Sequence, residues 1–424
     1  MSAVLVTGTI GLVACGNDSE GGTASSNGKV TLAFWHNATQ GPGRAYYDKI
    51  AKDFTAANPN ITIKIQTVQN EDMDGKLQTS LNAGDPPDIF MQRGGGKMAA
   101  MVKAGQLADL TGQISEETKK NLPPGTFQAQ QIDGKVYAIP VSVMPGGFFY
   151  SKDLFAKAGI TDTPKTLSEL NDAVAKLKAA GIQPIALGGK DAWPAAHYYY
   201  FFALRACSSQ VITETAKTLS FDDPCWLKAG ENLQQFAATQ PFNKGFLTTS
   251  AQQGAGSSAG LIANHKAAME LMGAWNPGVI KDLTPDKKAL PDLAWFPFPE
   301  VPGGQGEPGA ILGGVDGYSC SAKAPLEPCA KFLNFLAETS SQEQFYKAFT
   351  APPVNVNAQK IITEPYLKSI MEAFNKAPFV SQWLDTEYGQ NAGNALNSGV
   401  VEMLAGKGDP QGIVDAVKNA AKKA

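Results

Sequence analysis

Residues 29–91 alternate β-forming runs with amphipathic ones, and this restricts the fold more than any other feature of the chain. KVTLAFWH, residues 29–36, alternates and is rich in β-forming residues, so it reads as a first strand. Gly41, Pro42 and Gly43 punctuate a loop ahead of a helical pattern, RAYYDKIAKDFTAANP, which Asn58 and Pro59 stop. ITIKIQTV, residues 61–68, is the next strand. DMDGKLQTSLNAG is a second helix, and residues 88–91 form a short apolar third strand. Strand–helix–strand–helix–strand order implies a parallel α/β sheet.

The pattern continues without soft linkers. QIDGKVYAIPVS has the look of a tight turn between two short strands, and it runs directly into VMPGGFFYSKDLFAKAGI, a strand and a helix. DTPKTLSELNDAVAKLKAAGI begins with turn chemistry, continues as an amphipathic helix and ends at Gly181 before a strand, PIALGG. KAAMELMGAWNPG reads as a strand followed by a glycine-proline loop. A Pro/Gly-rich stretch then returns to a strand around Tyr318, and the remainder is mostly helical. Alternating α/β patterns at both ends, crossed by short strands, suggest two lobes whose chain passes back and forth. Ligands of such folds sit in the crevice outside the carboxyl ends of the strands.

Composition narrows the function. The chain has 424 residues, 43% hydrophobic and 18% charged, with a net charge of −3, so no basic field exists to attract nucleic acid. His36, His197 and His265 fall in unrelated segments, without HExxH, CxxC or paired-histidine spacing, so no metal and no cofactor is expected. Gly94, Gly95 and Gly96 lack the GK[ST] of a phosphate loop.

The first residues raise a separate question. A nearly unbroken run of apolar and small residues covers positions 3–14 and ends at Cys15. Such a run is shorter than the ~20 residues that span a bilayer and matches the apolar region of a secretory signal. Leu12, Val13, Ala14 and Cys15 resemble a bacterial lipobox, in which the cysteine is lipidated, and residues 16–28 read as a flexible tether. No Lys or Arg precedes Cys15, so Met1 is expected to lie downstream of the initiator. Lipidation leaves Cys207, Cys225, Cys320 and Cys329, an even number in an exported chain. Four cysteines permit three pairings. The local one, Cys207 with Cys225 and Cys320 with Cys329, closes the shortest loops and is favoured.

Several blocks together carry a family resemblance. FTAANPNITIKIQ, LNAGDPPDIF, IDGKVYAIPVS, FFYSKDLFAKAGI, PKTLSEL and KAAMELMGAW resemble, in order and spacing, stretches of the extracellular solute-binding proteins of carbohydrate ABC transporters. The resemblance extends from about residue 29 to the C-terminus. It implies an α/β, two-lobed periplasmic-binding-protein (venus flytrap) fold that closes over a sugar. Residues 29–140 with 309–350 would form one lobe, and residues 141–308 with 351–424 the other. Crossovers are expected near residues 140–143, 308–314 and 350–354. The implied partners are a small oligosaccharide and the permease subunits of an ABC importer. A monomer is expected, held through its lipid on the extracellular face of the membrane.

A sugar presents C–H patches on its faces and hydroxyls on its rim, so its site needs flat aromatic surfaces and convergent polar groups. Trp275 follows a predicted strand in a glycine-rich loop, where the family places a stacking aromatic, and Asn276 beside it is a hydroxyl partner. Asn37 and Gln40 lie in the polar loop after the first strand, where Trp35 suits a core role and His36 a structural one. Gln92 and Arg93 directly follow the PDIF strand, and one of the two is expected in the cleft. Trp193 lies after the PIAL strand, Asp316 in a glycine-rich loop near a crossover, and Trp383 at the start of a helix where relatives supply an aromatic wall. Tyr198 and Phe202 bound the buried face of a helix, and Trp226 and Trp295 are assigned to packing.

The resulting expectation is a non-catalytic lipoprotein that captures a small oligosaccharide. The chain is similar overall to actinobacterial proteins that import xylobiose or related β-linked disaccharides. Xylo-oligosaccharides therefore lead, with cello- and chito-oligosaccharides close behind. A glycoside-cleaving enzyme would need two carboxylates about 5–10 Å apart, for which Asp85, Asp88 and Asp316 are the candidates. A third reading keeps the fold but takes a polyol, a phosphodiester or a peptide. Loop tryptophans and few expected cleft charges favour a neutral sugar.

Overall fold

The computed structural model describes residues 28–423, so Cys15, the apolar run before it and the tether apart from Gly28 lie outside the described residues. Among the described residues there are ten strands: β1 (Val30–His36), β2 (Ile61–Thr67), β3 (Ile89–Gln92), β4 (Gln131–Ile132), β5 (Lys135–Val136), β6 (Ile139–Ser151), β7 (Met269–Gly273), β8 (Leu293–Phe296), β9 (Ile311–Cys320) and β10 (Val380–Ser381). Helices α1 (Gly41–Ala57), α2 (Asn70–Ala83) and α3 (Gly95–Lys103) join or follow the first three strands.

β1 pairs in parallel with β2 and β3, as the opening alternation implies. The sheet as a whole is mixed, because β9 returns antiparallel against both β3 and β6. Its order is β2-β1-β3-β9-β6-β7, with β10 added to β9 and β8 to β6. β4 and β5 make the short hairpin read from the sequence.

Gly41, Pro42 and Gly43 differ from expectation. They open α1 rather than a loop, because a proline in the first helical turn gives up an N–H that has no intrahelical partner anyway. α1 buries Tyr46, Tyr47, Ile50, Ala51 and Phe54 along one face and ends at Asn58, whose N–H reaches Phe54 O. α2 stops at Gly84 in the left-handed region, where glycine carries no Cβ penalty. Thr166 and Glu169 form a capping box that starts the helix Leu167–Ala179. The PIAL segment is less regular than a strand, since Ile185 makes only isolated bridges to Phe242 and Met269.

β6 and β9 run through both halves of the molecule. Between Ile139 and Pro145, β6 pairs with β9, and from Gly146 to Ser151 it lies between β7 and β8. Val141 and Met144 enter one apolar core, with Phe34, Ile50, Tyr318 and Leu333. Phe148, four residues further, enters another with Tyr198, Phe202, Trp226 and Leu396. Leu312 and Tyr318 divide β9 between the same two cores. Two α/β halves joined by continuous strands are the two-lobed arrangement that the sequence implied.

Both local disulfides are formed. Cys207–Cys225 ties the end of the helix Trp193–Ala206 to the first turn of the helix Pro224–Ala238. Cys320–Cys329 ties the end of β9 to the start of the helix Leu326–Ala337. Trp226 and Trp295 are buried, and Trp35 packs in a small core with Lys76 Nζ 4.7 Å from its ring centroid.

Candidate functional site

A cavity of about 750 Å³ lies between the halves, within the ~300–1,000 Å³ usual for small-molecule sites. Seven of the nine residues singled out as ligand candidates line it: Asn37, Gln40, Arg93, Trp193, Asp316 and Trp383, together with Trp275.

Its aromatic wall comes from three distant segments. Trp193 opens the helix Trp193–Ala206 rather than occupying a loop, with Pro194 in the first turn. Trp275 caps the helix Asn276–Leu283, so the expected glycine-proline loop is a tight turn into a helix. Trp383 precedes the helix Leu384–Glu387. The rings of Trp193 and Trp275 meet edge to face at 6.1 Å, and those of Trp275 and Trp383 at 5.6 Å. His197, one turn after Trp193, stacks on Trp383 at 4.1 Å. Burial lowers the His197 pKa to about 3, so its imidazole is neutral and behaves as a further aromatic plate.

Polar and charged groups line other parts of the cavity. Arg93 Nη2 donates to Asn70 Oδ1 at 2.7 Å, and Nη1 lies 3.3 Å from Asp74 Oδ1. Lys97 Nζ donates to Asp74 Oδ2 at 2.6 Å. Burial alone would raise the Asp74 pKa, but Lys97 and Arg93 outweigh it and hold the carboxyl below the usual range. Asn37 Nδ2 donates to the same Asn70 Oδ1 at 3.3 Å. Asp316 sits inside β9 opposite Ser142 of β6, not in a loop, and burial raises its pKa against the pull of Arg93. Contrary to expectation, the cleft is thus well supplied with charge.

Two candidates point elsewhere. Gln92 is buried on β3, where its Oε1 accepts from the backbone N–H groups of Arg93 and Gly94 and fixes the turn into α3. Arg93, just past the end of β3, lines the cleft, whereas the Gln92 side chain turns back onto the backbone that follows it. Asn276 is fully buried, and its Nδ2 donates to Glu270 Oε2 at 2.7 Å. Asp85 and Asp88 do not line the cavity with Asp316, and Asp88 Oδ2 instead accepts from Ala33 N–H at 2.8 Å.

The residues missed from the sequence include four on the helix Gly389–Leu404 and four on α2, Asn70, Glu71, Asp74 and Gly75. Gln390, Asn394, Asn397 and Ser398 line the cleft from the first of these helices, while its Ala392, Leu396 and Val400 face the core. The polar spacing in QNAGNALNS was a readable sign of this face. Asn397 Oδ1 accepts from Tyr200 Oη, and its Nδ2 donates to Asp385 Oδ2 at 3.3 Å. Tyr47 also lines the cavity, held by a 2.7 Å bond from Tyr318 Oη. Two contacts bridge distant segments at the site. Gln253 Nε2 donates to Gln69 Oε1 at 3.4 Å, and Gln382 Nε2 donates to the Arg93 carbonyl.

The chain is 26% identical over 351 residues to the multiple sugar-binding protein of Streptococcus mutans, covering 80% of this chain and 78% of that one. A solved chain from work on xylan utilization by the thermophilic bacterium Caldanaerobius polysaccharolyticus superposes with a TM-score of 0.84 at 26% identity, covering 93% of this chain and 99% of that one. A chitin oligosaccharide binding protein gives the same TM-score of 0.84, identity of 26% and coverage of 93% and 99%. Residues 37–343 match the family described as bacterial extracellular solute-binding protein. With its two halves and the cleft between them, the chain belongs to that family.

Proposed function

We propose that the cleft binds a short oligosaccharide, with xylo-oligosaccharides first and chito- and cello-oligosaccharides next, and that the protein presents it to an ABC importer permease. The observation that carries this reading is the cluster of three tryptophans in a cavity that Asn37, Gln40, Arg93 and Asp316 also line. Indole faces cover the C–H patches of sugar rings, while Asn37, Gln40, Arg93 and Asp316 meet the hydroxyls. A buried hydroxyl without a partner costs about 1–3 kcal/mol, which lets such a rim discriminate between stereoisomers. The neighbours associated with xylan utilization and with chitin oligosaccharide binding match equally well, so both sugar classes belong in the test.

The proposed lobes comprise residues 29–140 with 309–350 and residues 141–308 with 351–424. The change of core between Met144 and Phe148 on β6 and between Leu312 and Tyr318 on β9 supports two lobes joined by hinge strands, with the crossings a few residues beyond these bounds. Sugar binding shifts the lobes from open to closed, and the permease reads the closed form. Cys15 is the proposed lipid anchor on the extracellular face of the membrane. The protein acts as a monomeric binder rather than an enzyme.

Calorimetric titration with xylobiose, xylotriose, cellotriose and chitotriose tests the assignment. Dissociation constants well below millimolar are expected for at least one sugar. If none binds that tightly, the proposal fails. Reducing-end assays on the same mixtures are expected to find the sugars intact.

A further inference from the structure

Building on the sugar-binding reading, we propose that the cleft is an electrostatic filter that admits uncharged oligosaccharides and rejects those bearing a uronic acid. Glu71, Asp74, Asp191, Asp282, Asp316 and Asp385 line the cavity, against only Arg93 and Lys97 among its lining cations. Both cations are already engaged by Asp74, at 3.3 Å and 2.6 Å. Arg93 also donates from Nη2 to Asn70 Oδ1 at 2.7 Å.

This arrangement suits hydroxyls and disfavours carboxylates. An ionised carboxylate only accepts hydrogen bonds, so Asp316 and Asp385 offer a sugar hydroxyl a charge-assisted bond and offer a second carboxylate nothing. Within a cleft walled by indole rings, like charges repel more strongly than in water and the field is focused. The wall remains a ligand site, with groups still lacking partners. Trp383, 7% exposed, and His197, 3% exposed, both line the cavity, and Nε1 of the first and Nδ1 of the second have no hydrogen-bond partner.

The experiment takes whichever of xylotriose, cellotriose and chitotriose binds best. It compares that sugar with a derivative carrying one carboxylate: a glucuronosyl branch on xylotriose, or one C6-oxidised ring on the others. The methyl ester of the same derivative controls for bulk. At low salt the acid is expected to bind at least tenfold more weakly than its ester. The ratio should narrow in about 1 M salt, where the screening length falls to about 3 Å. Asp316→Asn and Asp385→Asn should each narrow it about threefold or more. Equal binding of acid and ester, or equal rejection of both, overturns the filter and leaves the sugar assignment standing. Failure of all three parent sugars overturns the assignment and the filter together.

Discussion

Gly146 of β6 and Gly273 of β7 face each other in register, and each makes room for one tryptophan of the cleft. A Cβ on Gly273 would lie 2.0 Å from Trp275 Cζ3, and one on Gly146 would lie 2.6 Å from Trp383 Cη2. Neither glycine has a positive φ, so close approach rather than backbone conformation requires them. The paired strands thereby seat two rings whose centroids are 5.6 Å apart.

Gly273→Ala should therefore mimic loss of the Trp275 platform while leaving the indole in the chain. Trp275→Ala is expected to cost about 2 kcal/mol or more of binding, roughly 30-fold in affinity. Gly273→Ala should approach this loss and cost about 1–3 kcal/mol of stability from overpacking. Calorimetry with the best-binding sugar, alongside circular dichroism, separates the two effects. Unchanged affinity in Gly273→Ala would show that Trp275 does not need its present seat.

The buried Glu270–Asn276 pair predicts a pH dependence of stability. Burial raises the Glu270 pKa from about 4.5 to about 7, although hydrogen bonds from Ser258 and Asn276 oppose the shift. The native state therefore holds a proton that the unfolded chain releases between these values. This contribution is complete below the ordinary carboxylate pKa and is lost as pH rises through about 7, by about 3 kcal/mol. Glu270→Gln keeps an acceptor for Asn276 but cannot titrate. Its stability relative to the native chain should rise between about pH 5 and about pH 8 in denaturant titrations, and a constant difference would refute the assignment.

Gly278 predicts a defect in closure. Its Cβ would fall 2.1 Å from the Phe349 carbonyl, at the meeting of the helices Asn276–Leu283 and Thr339–Phe349. These helices lie in different proposed lobes. Gly278→Ala should hold the lobes apart and reduce apparent affinity on the order of tenfold, because less of the population is competent to bind. Small-angle scattering with saturating sugar should find the variant more extended than the native protein. The same radius in both would rule out the wedge.

The disulfides should support stability without touching recognition. They span sequence separations of 18 and 9, for which loop-closure entropy suggests about 3 kcal/mol each. None of the four cysteines lines the cavity. Reductant should lower the urea midpoint while leaving sugar affinity in the native range unchanged. A fall in affinity at constant stability would contradict this separation.

Local physics in the sequence determined a great deal. Period-two runs and helical periodicity marked β1, α1, β2, α2 and β3, because each element must bury one face. Short loops made the local disulfide pairing the favoured one, and ordered family blocks carried the two-lobed architecture. The tertiary structure decided which neighbours reach the cleft. Arg93 and Gln92 part because β3 ends between them and Gln92 bonds the backbone that follows, and Trp275 and Asn276 part because a helix begins between them. It also brought together Trp193, Trp275, Trp383 and the polar face of the helix Gly389–Leu404, which lie far apart along the chain. No local pattern encodes such a meeting, since it arises only when β6 and β9 carry the two cores against one another.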